Sequence, residues 1–282
     1  MASDSPRGET GTMRIPAPSP ARLDVRGAFR EGWRAFRRAP RVFVGFTLLM
    51  SALTSILTLI HSNLVEAGLN PLTWLIAQLA QLGSTLVGIW GGVGMIQGAM
   101  VALAGQRPRF SDLTHIDARA ILRVLLSNLL FTLLLSVVLV PLLIATAAGF
   151  FQMVELEFPV FGLPIVRGFN PTPGLLTLTV LPLLSGLGLM TYLVVNQHFL
   201  MQLASVGRRG PWRTLTEGRA VVDRQWGPTL LLILLESLLL LAGLAALLVG
   251  VFVAIPAITC ISTAAYRQLF KNPEGTAGPP VA

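Results

Sequence analysis

Two stretches of this chain, Val42 to Ile60 and Leu72 to Gly105, contain no charged residue at all. Runs of about 18 or more uncharged, mostly apolar residues read as membrane-spanning helices. A third block, Pro228 to Ala265, is almost wholly apolar over 38 residues and carries one acid, Glu236. As a single helix it would be ~57 Å long, against a hydrocarbon core of about 30 Å. It must fold back on itself, and Leu248-Val249-Gly250 is the place the sequence offers. Only 12% of the 282 residues are charged, about half the roughly 25% of a soluble domain. The expected fold is all-α: a polytopic transmembrane helical bundle of about six spans, at 42–61, 73–103, 124–151, 175–203, 228–247 and 250–268.

The charges set the orientation. Of 21 basic residues only Lys271 is a lysine, and the net charge is +8. Nine arginines, from Arg7 to Arg41, precede span 1. Arg107, Arg109, Arg119 and Arg123 lie between spans 2 and 3. Arg208, Arg209, Arg213, Arg219 and Arg224 lie between spans 4 and 5, and Arg267 and Lys271 close span 6. Threaded through six spans, 20 of the 21 fall on one side, leaving Arg167 on the other with Glu66, Glu155 and Glu157. Basic residues are retained in the cytoplasm, so both termini are expected there, in a multi-pass protein of the cell membrane. The basic residues flank hydrophobic blocks and form no separate basic domain, which excludes nucleic acid as a partner. Residues 1–21 and 272–282 read as disordered tails around one membrane domain, 22–271. The first tail lacks the pattern of a signal peptide.

The arginine-rich segments are patterned in their own right. In LDVRGAFREGWRAFRRAP, Val25, Phe29, Gly32/Trp33 and Phe36 recur at helical spacing, opposite Arg26, Arg30, Arg34, Arg37 and Arg38. A basic face against an aromatic one is the pattern of a helix lying in the membrane interface. In WRTLTEGRAVVDRQWGP, Leu215, Val222 and Trp226 oppose Arg213, Glu217 and Arg224. In SDLTHIDARAILRV, Leu113, Ile116, Ala120 and Val124 oppose Asp112, His115, Arg119 and Arg123, with Ser111 as the N-cap. Each helix precedes a pair of spans, so the chain reads as an interfacial helix plus a hairpin, three times over. Glu31-Gly32 and Glu217-Gly218 correspond, each seven residues before an arginine, Arg38 and Arg224. Arg26, Arg30, Arg34, Arg37, Arg38, Arg213 and Arg224 are the expected contacts to anionic lipid head groups.

The order EGWRAFRRAP, GQRPRFSDL, RQWGP and PAITCISTAAYRQLF, spread over residues 23–271, resembles a bacterial family of polytopic membrane proteins. That family is related to the membrane domain found ahead of some glycerophosphodiester phosphodiesterases. The resemblance implies a six-span-like bundle in a bacterial inner membrane. It brings no catalytic residues, and the phosphodiesterase activity is not carried over.

Chemistry is sparse. His61, His115 and His198 share no paired motif, and the single cysteine, Cys260, sits in an apolar run, so no metal site or disulfide framework is expected. No nucleophile elbow, zinc-protease or phosphate-loop motif occurs, so neither an enzyme nor a cofactor is expected. Ser84, Gly88 and Gly92 are spaced by four, as are Gly94 and Gly98; small residues so spaced permit close helix packing, the alternative being a pore or ligand groove. The intramembrane polar candidates are Gln78, Gln81 and Gln97 in span 2, Asn128 in span 3, His198 at the end of span 4, and Glu236 in span 5. Pro141, Pro182 and Pro256 offer kinks. Glu236 is expected about 12 Å deep, near mid-membrane, facing the bundle with its proton retained and donating to Asn128, Gln97 or a backbone oxygen. Two functions follow: a non-enzymatic scaffold or accessory protein contacting lipids, a membrane partner or a second copy, or a small permease or channel with a path between spans 2, 3 and 5.

Single-cysteine labelling of intact cells, in a Cys260→Ala background, tests the threading. Cysteines placed at Ser5 or Thr216 should react only after the membrane is opened; reaction from outside would overturn the orientation.

Overall fold

The computed structural model describes residues 22–66, 70–157, 165–207, 210–246 and 249–270. The tails, Lys271, Arg208, Arg209 and Leu248 lie outside the described residues. The elements are α1 (Val25–Arg38), α2 (Pro40–Glu66), α3 (Pro71–Leu103), α4 (Phe110–Thr114), α5 (Ala118–Met153), β1 (Val154–Glu157), β2 (Ile165–Phe169), α6 (Pro173–Asn196), α7 (Leu200–Val206), α8 (Pro211–Val222), α9 (Trp226–Ala245) and α10 (Val251–Phe270). The fold is an all-α bundle apart from an antiparallel two-stranded ribbon, β1–β2, joining α5 to α6. Five stretches are long and apolar enough to cross a membrane: Pro40–Glu66, Pro71–Leu103, Ala118–Met153, Pro173–Val206 and Pro211–Ala245.

The sixth expected span is a helix, α10, and the chain turns back between Ala245 and Val251 as the length argument requires. Yet α10 is no sixth lipid-facing span. From Ala254 to Leu269 most of its residues are buried, and Pro256, Ser262, Thr263 and Arg267 dilute its apolar run. Its surface is built from small residues, Ala254, Ala257, Cys260, Ala264 and Ala265, so neighbouring backbones approach closely.

The closest neighbour is α1. The Asp24 amide donates to Gln268 Oε1 over 3.0 Å, Gly32 faces the Ile261 backbone, and Ala35 and Phe36 share a core cluster with Ala257 and Cys260. The two helices therefore run antiparallel along one another. Val25, Gly32 and Phe36 are buried and Phe29 and Trp33 half-buried, as the spacing indicates, but against protein rather than lipid. The interfacial reading of α1 puts this face on lipid; it packs on α10 instead. The small-residue face of α10 offers its apolar side a close-packed partner, and dispersion favours that over loose acyl chains.

The other amphipathic segments divide. α8 forms as expected, with Leu215 and Val222 buried and Trp226 half-buried just beyond it. The 111–124 segment does not form one helix. It breaks at His115–Asp117 into α4 and the start of α5, and Ile116 is 64% exposed instead of joining Leu113, Ala120 and Val124 in the core. Ser111 is no cap: the Arg109 amide donates to Asp112 Oδ2, while Asp117 accepts from the Arg119 and Ala120 amides and starts α5.

Helix breaks also fall away from the prolines. Pro141, Pro182 and Pro256 lie inside continuous helices, whereas α6 ends at Asn196 and α7 starts at Leu200 with neither Gly nor Pro between. Tertiary packing makes that break, because Phe199, Leu200 and Leu203 turn into the core.

The three buried clusters join α1, the start of α2, the end of α3, α4, the start of α5, α7, α8, α9 and α10 at the end where the arginines lie. Toward the other end α2 and α3 expose Ile56, Leu59, Leu75 and Leu79, as helices facing hydrocarbon do. The small residues of α3 serve both readings. A methyl at Gly94 would meet the Leu113 carbonyl, one at Gly98 the Leu113 side chain and one at Gly92 that of Met201, while Gly88 has open space. Ser84 is buried, its hydroxyl 3.4 Å from Thr58.

Gly32→Ala should therefore destabilise the solubilised protein by about 1–3 kcal/mol through overpacking against α10. Gly45→Ala, in open space on α2, should be neutral or slightly stabilising. Equal melting temperatures for the two variants would contradict the α1–α10 contact.

Candidate functional site

Where the chain breaks between α6 and α7, polar groups gather inside the bundle. Glu236, on α9, is only 5% exposed. Ser262 of α10 places its hydroxyl 2.8 Å from Glu236 Oε1, and His198, in the turn after α6, places Nε2 3.3 Å from Oε2. The His198 contact is at ion-pair distance but outside hydrogen-bond geometry. Ser262 Oγ is also 3.0 Å from the Ile258 carbonyl. One hydroxyl hydrogen cannot serve both acceptors. With Glu236 ionised the hydroxyl donates to it; with Glu236 protonated the acid can donate to Ser262, which then donates to Ile258.

A second network adjoins the same break. Tyr192 OH and Asn196 Nδ2 both donate to Asp223 Oδ1, over 2.9 and 2.8 Å. Arg219, one turn before Asp223, pairs with Asp223 Oδ2 at 3.5 Å, donates to Tyr192 and lies over its ring. These bonds tie α6 to the end of α8. The side-chain oxygens of Asn196, Gln197 and Gln202 are buried without a partner among the described residues. Buried amides without a partner are costly and rare, so this break concentrates polar groups that the interior leaves unsatisfied.

Of the intramembrane polar candidates, Glu236 and His198 come together. Asn128 and Gln97 are half-buried and neither bonds Glu236, while Gln78 and Gln81 are exposed. Glu236 does face inward, but its partners are His198 and Ser262. It lies beside His198, just past the end of α6. Ser262, Asp223 and Tyr192 were not singled out from the sequence. Ser262 had a signal, lying within the run Thr259, Ser262, Thr263 at helical spacing.

A separate groove of about 410 Å³ runs between α2, α3 and α10. Gly88, Gly91 and Gly92 line one wall and Met50, Ser51, Thr54 and Ser55 another. Thr47 and Thr259, also on the groove, return their hydroxyls to carbonyls four residues back; Ser51, Thr54 and Ser55 form no such bond among the described residues. This groove borders spans 1, 2 and 6 of the sequence reading, not spans 2, 3 and 5.

Arg26, Arg30, Arg34, Arg37, Arg38, Arg213 and Arg224 are all exposed. Arg38 also donates to the Ala102 carbonyl at the end of α3, capping that helix. Gly32 lies against the backbone of α10, whereas Gly218 meets only the Leu203 side chain of α7.

These features define the class, an all-α polytopic membrane protein. No family model, curated protein or solved structure matches the chain.

Glu236→Gln can still accept from Ser262 and should lose little stability, whereas Glu236→Leu takes the polar neighbour from buried His198 Nε2, leaves Ser262 only the Ile258 carbonyl, and should cost about 1–3 kcal/mol. A double-mutant cycle of Glu236→Gln with His198→Gln should show coupling of about 0.5–3 kcal/mol. Zero coupling would remove the pair from the account of the core.

Proposed function

We propose that the protein is a non-enzymatic integral protein of the cell membrane, a scaffold or accessory protein working through anionic lipids and membrane partners, with both termini in the cytoplasm. The observation that supports this reading is the free face of α1. Arg26, Arg30, Arg34 and Arg37 are exposed in a row while the opposite face is packed against α10. The core holds the helix, so its arginines are presented without any cost of folding onto the bilayer. Each contributes about 1 kcal/mol at an anionic surface. The partner is a membrane protein or a second copy. The resemblance to the membrane domain of phosphodiesterases, in a bacterial inner membrane, agrees with such a role.

The groove between α2, α3 and α10 favours a second reading, a small permease. Its free hydroxyls and bare glycine backbone suit a neutral solute better than a charged one, since no ionisable side chain lines it.

Reconstitution separates the two. Liposomes carrying the protein should show no saturable uptake in a screen of small solutes, while the purified protein should retain anionic over zwitterionic lipid and lose that preference in high salt. Saturable uptake that fails in Ser55→Leu would overturn the scaffold reading in favour of the permease.

A further inference from the structure

A polar concavity of about 540 Å³ lies where α5 begins, lined by Asp117, Arg119, Arg123, Ser205 and Val206. None of these is among the arginines assigned above to head groups. Arg123 is half-buried and donates through Nε to the Ala204 carbonyl, 3.1 Å, and through Nη2 to that of Ser205, 3.3 Å. Both partners are neutral, and among the described residues no acid pairs with the guanidinium and Nη1 has no partner. The Arg119 side chain is exposed and has no partner among the described residues. Asp117 is the one acid, and its Oδ1 is occupied by the Arg119 and Ala120 amides. The helix N-terminus is thus already satisfied. The attraction for an anion is that of two guanidinium groups against one carboxylate.

Arg119 also heads a stripe. Leu122, Leu126, Leu129 and Leu133 follow at intervals of three and four, and are 53%, 41%, 62% and 59% exposed. These residues share the face of α5 that carries Arg119. A soluble anion would find no use for a leucine rail below its charge, whereas a phospholipid has that shape: a phosphate above and an acyl chain below.

We propose that the concavity binds the phosphate of one anionic phospholipid, between Arg119 and Arg123, with an acyl chain laid along Leu122, Leu126, Leu129 and Leu133. The proposal deepens the lipid-contact reading and rests on it. Arg119 supplies the exposed charge, Arg123 fixes the depth of the phosphate because the end of α7 holds it, and Asp117 sets an upper limit on affinity.

Native mass spectrometry of the full chain, titrated with phosphatidylglycerol and with phosphatidylcholine, tests this. Arg119→Gln should weaken phosphatidylglycerol binding roughly fivefold, the factor for one basic residue at an anionic surface. Asp117→Asn keeps an oxygen for the α5 amides and should tighten binding by a similar factor, a gain that a structural role alone would not give. Phosphatidylcholine binding should change little in either variant. Wild-type affinity in both variants, or weakening in both, overturns the site. Displacement of the lipid by millimolar inorganic phosphate or glycerol phosphate overturns it in favour of a soluble anion. If the wild-type chain shows no preference for phosphatidylglycerol at all, the broader lipid-contact reading fails instead.

Discussion

The close contact of α1 with α10 is what the rest of the architecture hangs on. Gly32 and the alanines of both helices let the two backbones approach until there is no room for a methyl group between them. Inside a bilayer, hydrophobicity does little to drive helices together, and packing of this kind supplies the association energy. Because α10 is covered by α1 on one side and by α2, α3 and α9 on others, its Ser262 and Thr263 are buried. Ser262 can therefore face Glu236, and that acid can sit in the interior without an intramembrane basic partner other than a histidine.

Once α10 is fixed, the distribution of packing follows. The clusters gather toward the arginine-bearing end, where α7 and α8 close over the starts of α5 and α9. Elsewhere the long hairpins present leucines to hydrocarbon. The same end holds the helix break, the Asp223 network, the capping arginines and the concavity at α5. Polar chemistry and dense packing thus coincide, and arginines serve as caps in two places: Arg38 for α3 and Arg123 for α7.

Much of this was legible in the chain. Uncharged runs located α2, α3 and α9 to within five residues at each end and α5 and α6 to within seven, since at membrane depth composition leaves the backbone little choice but helix. The length of the 228–265 block required a turn, and Gly243 packs against Gly250 beside it. What local pattern could not carry was tertiary. The break at Gln197–Phe199 has no Gly or Pro to announce it, and Pro141, Pro182 and Pro256 lie inside unbroken helices. The inward direction of Glu236 followed from its cost in lipid. Its partners did not, because a serine and a histidine at 26 and 38 residues' distance leave no mark on local spacing. The apolar face of α1 was read correctly and its partner was not: amphipathicity reports that a face is buried, not what buries it.

The α5–α6 hairpin is a lever. α5 runs 36 residues, hence ~54 Å, well beyond a hydrocarbon thickness of about 30 Å, and a helix with such excess must tilt or overshoot. Its far end is tied to α6 by the β1–β2 ribbon and its near end is bonded to α7 through Arg123, so any change of tilt would be shared by α6 and felt at the basic end. On an arm of ~54 Å a tilt of about 5° carries the ribbon ~5 Å. A thinner or thicker bilayer would therefore be registered at the far tip as displacement and at the Arg123 fulcrum as torque.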